Sequence, residues 1–191
     1  TLEMPEAEGG QGAPRLLGVA VAELMTGANT AFHMYPGLSG AAAAVIRAFG
    51  TPEQRELYPP KIENGTCGGT MVLTEAQAGS DVGLSLTKAV PNGDGSYRIT
   101  GNKIFISAGD HDLTENIIHL VLARLPDAPK GVKGISLFVV PKYLPGAGGE
   151  LGARNPMSVG ALEKKMGIHA QPTCVMKKSA PARRFFTIFR Y

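Results

Sequence analysis

The period of the hydrophobic pattern changes near residue 67, and this change constrains the fold more than any other feature of the chain. Residues 15–25 are apolar with few breaks and predict a buried helix that ends at residues 26–30, and residues 36–49, opened by a proline, carry apolar side chains at helical spacing. Thr51 and Gln54 then predict the capping box of a further short helix. Beyond residue 67, short apolar runs alternate with turn signals, which is typical of strands.

Several segments after residue 67 have the length and composition of strands. They are residues 70–74, 84–90, 97–100, 103–107, 117–125, 135–140 and 173–176. Residues 91–96 form a strong turn signal because Asn and Gly tolerate positive φ, and Gly101-Asn102 predicts another turn. Residues 145–156 predict a longer loop. The predicted fold class is therefore α+β, with a short N-terminal helical segment followed by a small antiparallel β-barrel or sandwich.

The chain divides into three predicted regions. Residues 1–66 form a partial N-terminal helical domain, residues 67–176 a β-domain, and residues 177–191 an atypical basic tail. The tail carries five basic side chains and no acidic one, so the net charge of +3 belongs to the tail, and nucleic-acid binding is not predicted. The tail is interpreted as a frameshift or fragment end. The alternative is a native basic-aromatic tail that binds an anionic surface.

Composition excludes several other classes. The sequence holds no apolar run near the roughly 20 residues that a membrane span needs. Cys67 and Cys174 form no disulfide framework and suit a reducing cytosol, so a cytoplasmic location is predicted. The four histidines show no metal-ligand spacing, so no metal site is predicted and packing or surface roles are expected for them.

Two stretches carry chemistry. Residues 70–81 read as a strand that ends in a loop of small polar residues, where the hydroxyls of Thr74 and Ser80 and exposed backbone N–H groups suit a planar or phosphorylated ligand. Residues 99–109 read as a turn followed by an alternating strand that ends in Ser-Ala-Gly. Spacing alone leaves the first stretch open to a simpler interpretation, a strand followed by a Gly-Ser turn.

Taken together, the two stretches resemble a known family. Val-Leu-Thr-Glu-x-x-Ala-Gly-Ser-Asp at residues 72–81 and Gly-Asn-Lys-x-Phe-Ile-Ser-x-Gly at residues 101–109 are similar to paired motifs of the acyl-CoA dehydrogenases. The resemblance extends over residues 15–176. It implies FAD as cofactor, an acyl-CoA thioester as substrate, α,β-dehydrogenation as reaction, an electron-transfer acceptor as partner, and a homo-oligomer in the complete enzyme.

The resemblance also implies roles for individual residues. Met71, Leu73 and Thr74 would lie along the isoalloxazine ring, and Gly79 and Ser80 would approach its ribityl-phosphate side and the acyl-CoA, which makes Ser80 substrate-binding as well. Phe105, Ile106 and Ser107 would contact the other edge of the flavin, with Ser107 donating toward N5. Phe105 stands where tryptophan is frequent in the family, Met71 where an aromatic residue is frequent, Ser107 where threonine is usual, and Gln77 where glycine is common.

No catalytic residue is assigned in this chain. The family's base is a glutamate in a C-terminal helical domain that this sequence lacks, and Glu75 is interpreted as structural because its motif position is not catalytic. The chain is therefore expected to be a fragment that is inactive alone. Two alternatives remain open: an acyl-CoA oxidase-like flavoenzyme on the same fold, and a catalytically inactive β-domain that serves as an interaction module.

Overall fold

The N-terminal part of the protein is helical. In the computed structural model, which describes residues 2–178 and 186–189, a 3₁₀ turn at Glu6–Glu8 precedes α1 (Arg15–Phe49), α2 (Pro52–Leu57) and α3 (Pro59–Glu63). None of the described helices is both long and apolar enough to span a membrane.

Helix α1 is interrupted at one residue. Asn29 has non-helical φ and ψ of −159° and 89°, and its Oδ1 accepts a hydrogen bond of 3.0 Å from the backbone N of Phe32. The Asn29 side chain therefore caps the second half of α1 in the way that Asn commonly does. The predicted helix start at Pro36 was wrong, because Pro36 lies inside this second half and the cap is seven residues earlier. The burial predicted for residues 15–25 was also wrong, because no described element covers this part of α1, where Leu16 is 81% and Leu24 75% exposed.

The predicted capping box of α2 is confirmed. Thr51 Oγ1 accepts from the backbone N of Gln54 at 3.3 Å, and Gln54 Oε1 accepts from the backbone N of Thr51 at 3.0 Å. The two side chains satisfy donors that would otherwise remain unpaired at the helix start. Both interactions are local, which is why the sequence alone was sufficient to predict them.

The remainder of the described chain is built from strands. They are β1 (Cys67–Val72), β2 (Lys88–Pro91), β3 (Tyr97–Ser107), β4 (Asn116–Arg124), β5 (Ile135–Pro141), β6 (Tyr143–Pro145), β7 (Leu151–Arg154), β8 (Ser158–Leu162), β9 (Thr173–Lys178) and β10 (Phe186–Phe189). The main sheet has the order β10-β5-β4-β2-β3-β9-β8, and β1 pairs with β4. Most pairings are antiparallel, but β1 and β2 pair with β4 in parallel. The predicted fold class is confirmed, with a mixed sheet in place of a purely antiparallel one.

Three local predictions differ from the structure. The turn expected at Gly101-Asn102 lies inside β3, because this strand continues from pairing with β2 to pairing with β9. The loop expected at residues 145–156 contains β7, which forms a two-stranded sheet with β6. The strand expected at residues 84–90 is shortened to Lys88–Pro91, because side-chain hydrogen bonds hold residues 85–87 instead.

The tail prediction is resolved only in part. Residues 177–178 complete β9, and residues 186–189 form β10 beside β5. Residues 179–185 and 190–191, which include Arg183, Arg184 and Arg190 of the predicted basic tail, lie outside the described residues.

Strands β4 and β5 of the main sheet are buried on both faces. One face packs in a first core cluster that includes Val121, Ala123, Phe138 and Val140. The intervening residues of the same two strands face the helices, where they meet α1 and α3 in a second cluster of Ala42, Ile46, Ile62, Ile118, Leu120 and Val139. Burial on both faces explains why β4 and β5 read as continuous apolar runs in the sequence.

Burial controls the chemistry of both cysteines. Cys67 and Cys174 are free thiols with 5% and 0% of their surface exposed. Burial raises the pKa of Cys67 to about 11 and also raises the pKa of Cys174. Because only the thiolate reacts, we expect Ellman's reagent at pH 8 to label both thiols at least about 100-fold more slowly in the native protein than in urea. Rapid labelling of one equivalent before unfolding would contradict this burial.

Candidate functional site

The two stretches that carry the predicted chemistry lie side by side. The backbone N of Ile104 donates to the Thr74 carbonyl at 3.0 Å, and Thr70 Oγ1 donates to the Ser107 carbonyl at 2.6 Å. Residues 70–74 therefore run along the C-terminal half of β3. The fold brings together segments that are about thirty positions apart in the sequence.

A bulge in β3 determines which side chains reach the surface here. The pairing of β3 with β9 shifts register between Lys103 and Ile106, and Phe105 within the bulge has a φ of 57°. Its side chain is 58% exposed, whereas Ile106 is 1% exposed and packs in the sheet core. Positive φ is uncommon for an aromatic residue and often marks a functional position. Ile106 is thus able to contribute only its backbone to a site at this edge.

Uncommitted hydroxyl groups lie near this exposed ring. Thr74 and Ser107 are half-buried, and neither hydroxyl has a hydrogen-bond partner within residues 2–178 and 186–189. Polar groups at such positions are normally satisfied by protein, water or ligand. The two hydroxyls are therefore available to the polar edge of a bound molecule. Met71 and Leu73, also half-buried, precede Thr74 along the same segment.

The loop that follows Thr74 is a closed turn. Glu75 and Ala78 exchange two backbone hydrogen bonds of 3.0 Å each. Gln77 Nε2 donates to Glu75 Oε2 at 2.7 Å and to the Leu84 carbonyl at 3.4 Å. The Gln77 side chain therefore helps to close the loop. Gly79 and Ser80 come directly after this turn and are exposed.

A buried ion pair lies beneath the loop. Lys103 Nζ lies 2.8 Å from Glu75 Oε1, and both side chains are about 5% exposed or less. The carboxylate also accepts from Leu86 N at 2.7 Å, from Thr87 N at 3.1 Å and from the Ser85 hydroxyl. Burial acts to raise the pKa of Glu75, but the hydrogen bonds from Lys103, Ser85, Thr87 and Leu86 outweigh it and lower that pKa. This enclosure agrees with the interpretation of Glu75 as a structural group.

Lys103 is a residue that sequence reasoning missed. Its Nζ donates to the Leu73 carbonyl at 2.8 Å and to Ser85 Oγ at 3.3 Å, in addition to Glu75. Burial is the main influence on its pKa, which is lowered, although Glu75 acts in the opposite direction. A lysine at a core position of an alternating strand was the available signal, because such a charge is almost never buried without a partner.

A large cavity beside this site begins at Asp81. It has a volume of about 760 Å³ and a mostly apolar lining, with Lys88 and Lys130 among its polar groups. Arg124 connects its two loops by donating to the carbonyls of Ser85 and Gly131 at 2.8 Å each, and it also donates to Pro129 and Gly83. The guanidinium is thus committed to the loops, whereas the two lysines are available to a ligand.

A smaller cavity of about 260 Å³ lies between α1 and β1. Its lining includes Tyr35, Gly68, Gly69 and His111. The rings of Tyr35 and His111 meet edge to face with centroids 5.0 Å apart. Burial, followed by the charge of Lys142, lowers the pKa of His111, which agrees with the packing role expected for the histidines. The described residues contain no group of three ligands that could hold a metal ion.

Family models and sequence relatives of this chain agree with each other. Family models described as the acyl-CoA dehydrogenase middle and N-terminal domains match residues 70–179 and 1–66. The chain is 48% identical over 177 residues to a 3-methylmercaptopropionyl-CoA dehydrogenase of Ruegeria pomeroyi, covering 93% of this chain but only 30% of that protein.

Solved structures agree with this result. The fold matches an acyl-CoA dehydrogenase of Geobacillus kaustophilus with a TM-score of 0.76 and 27% identity, over 96% of this chain and 44% of that one. It also matches an acyl-CoA dehydrogenase complexed with FAD from Bacillus anthracis with a TM-score of 0.71 and 25% identity, over 97% of this chain and 28% of that one.

Proposed function

The chain belongs to the acyl-CoA dehydrogenase family, and from this premise we propose that it forms one wall of an FAD site in an enzyme that oxidises acyl-CoA thioesters between the α and β carbons. One observation carries the proposal: two uncommitted hydroxyls, Thr74 and Ser107, lie on adjoining segments next to the exposed ring of Phe105. A flavin needs such a combination, because its ring has flat apolar faces and a hydrogen-bonding edge.

Each predicted residue is assigned to a part of the cofactor. Met71, Leu73 and the ring of Phe105 offer apolar contact to the isoalloxazine, and Thr74 offers a hydroxyl to its pyrimidine edge. Ser107 would offer its hydroxyl to the flavin and Ile106 its backbone, and Gly79 and Ser80 would hold the ribityl-phosphate side. When bound, FAD supplies the acceptor for the two electrons that leave the substrate. The residues of this chain orient the ring and exclude water from one of its faces.

The cavity beyond Ser80 suits the CoA part of the substrate. Its volume of about 760 Å³ lies in the range of small-molecule sites, roughly 300–1,000 Å³. Lys88 and Lys130 place positive charge where phosphates would lie, and the apolar lining suits the pantetheine chain. We assign Ser80, which directly precedes the lining residue Asp81, to the substrate. We assign the role of electron acceptor to a separate electron-transfer protein.

The chain spans about 30% of the length of the Ruegeria relative, so the complete reaction is proposed for the enzyme and not for these residues alone. We assign no catalytic base here, because Glu75 is sealed by its own hydrogen bonds and has no path to a substrate proton. A homo-oligomeric complete enzyme in the cytoplasm remains part of the proposal.

The cofactor assignment is tested by titrating the purified chain with FAD and following the quenching of flavin fluorescence. Thr74→Val and Ser107→Ala should each raise the Kd about tenfold, because each removes one hydrogen bond of about 1.4 kcal/mol. Thr100→Val, at an exposed position of the same strand β3, is the matched control and should bind like the wild type.

Two outcomes would overturn these assignments. A folded wild-type chain that binds no FAD would favour the inactive interaction module over the flavin site. Unchanged affinity in both hydroxyl variants would place the flavin elsewhere.

A further inference from the structure

We propose that Lys103 is a positioning residue, which holds the segment of Leu73 and Thr74 against the bulge that carries Phe105 and Ser107. The inference concerns the geometry of the site, and its consequence for FAD rests on the proposed function above.

The geometry depends on two neighbouring donors that contact two neighbouring acceptors. Lys103 Nζ donates to the Leu73 carbonyl at 2.8 Å, and the backbone N of the next residue, Ile104, donates to the Thr74 carbonyl at 3.0 Å. Strand β1 ends at Val72, where its last paired residue meets Val121. Beyond Val72 no pairing with β4 holds the chain. The two hydrogen bonds to the Leu73 and Thr74 carbonyls hold it instead.

The same ammonium group also holds the loop that follows Thr74, through contacts with Glu75 and Ser85. Lys103 Nζ donates to Glu75 Oε1 and to Ser85 Oγ, at 2.8 Å and 3.3 Å. Its three protons therefore face three acceptors: a carbonyl before the loop, a carboxylate within it and a hydroxyl beyond it. Only a buried side chain with several donors at the end of a long stem makes all three contacts from one strand position.

Stability alone does not account for such a pair. Replacing a buried ion pair by uncharged residues of similar size is often neutral or stabilising, because burying charge is costly. The three contacts of Lys103 point to a geometric role for this pair instead. Here the specified geometry is the separation between the Thr74 and Ser107 hydroxyls.

The test separates positioning from stability by removing both charges together in the double variant E75Q/K103M. The glutamine keeps one acceptor oxygen, which in the place of Oε1 still accepts from Thr87 N and the Ser85 hydroxyl, whereas its NH2 group in the place of Oε2 leaves Leu86 N without that acceptor. We expect a cooperative fold in which the Ile104 amide exchanges its hydrogen at least tenfold faster by NMR, while amides in β4 and β5 keep wild-type rates. We expect the Kd for FAD to rise about tenfold.

Lys61→Met is the matched control, because Lys61 also donates to a backbone carbonyl, that of Gly149 at 2.6 Å, but this carbonyl lies in the turn between β6 and β7. It should change neither the Ile104 exchange rate nor the Kd. Wild-type exchange at Ile104 in the double variant, or equal acceleration in β4 and β5, would overturn the inference. Faster Ile104 exchange with unchanged FAD affinity would overturn its link to the cofactor.

The failure of the proposed function is recognisable separately. A wild-type chain that does not bind FAD would refute the flavin site, while the exchange measurement would still decide whether Lys103 holds the segment in place.

Discussion

Replacing Lys103 alone by methionine should lower the free energy of unfolding by about 3–5 kcal/mol, because the Glu75 carboxylate would remain buried without its counter-ion. A domain of ordinary size has only about 5–15 kcal/mol of stability in total. We therefore expect a large fall in the urea midpoint measured by circular dichroism. The slope of the transition should stay near that of the wild type, because the exposed surface hardly changes.

Two further variants test whether the loss comes from the unpaired Glu75 carboxylate. Lys177→Met removes an exposed lysine from strand β9 and should change stability by less than about 0.5 kcal/mol. The double variant E75Q/K103M should recover part of the loss, because no unpaired charge remains although Leu86 N loses its acceptor. If Lys103→Met were as stable as Lys177→Met, the pair would not be buried as the structure places it.

Replacing Gly69 by valine is the second large change, with an expected loss of about 1–3 kcal/mol from overpacking. A Cβ atom at this position would lie 2.7 Å from the Cβ of Ala42 and 3.1 Å from the Cα of Ser39 in α1. The backbone N of Gly69 also donates to Ser39 Oγ at 3.0 Å. The glycine therefore allows α1 to rest directly on β1, and a larger residue would push the helix away.

Measuring the coupling between the two positions tests this contact directly. Gly69→Ala should be destabilising alone, and Ala42→Gly should relieve part of that loss in the double variant, as shown by a favourable coupling energy of at least about 0.5 kcal/mol in urea unfolding. Gly167→Val is the control, because a Cβ atom there meets nothing within 4 Å. Strict additivity of the two single changes would show that α1 does not approach β1 at this point.

Some of the structure could be predicted from neighbouring residues. The α2 capping box depends on Thr51 and Gln54, three positions apart, and it formed as expected. The long strands β4 and β5 were predicted because their apolar runs are continuous. The site residues were named from two motifs, and those motifs do lie side by side, although the binding roles remain predictions.

Other features depend on partners distant in the sequence. The break predicted at Gly101 did not form, because β9 continues the pairing of β3 where β2 ends. The parallel pairing of β1 with β4 was not visible in either strand, since hydrophobic pattern reports burial and not direction. The exposure of Phe105 and the burial of Ile106 follow from a bulge that only the pairing with β9 produces.

Helical and strand periods, caps and motifs are local properties, and the amino-acid sequence alone was therefore enough to predict the α+β class and the family. The direction of strand pairing, the bulge at Phe105 and the three contacts of Lys103 arise from residues that meet only after folding. The conformation at these positions is stabilised by contacts between residues distant in the sequence. Short-range patterns in one sequence do not indicate which residues make those contacts.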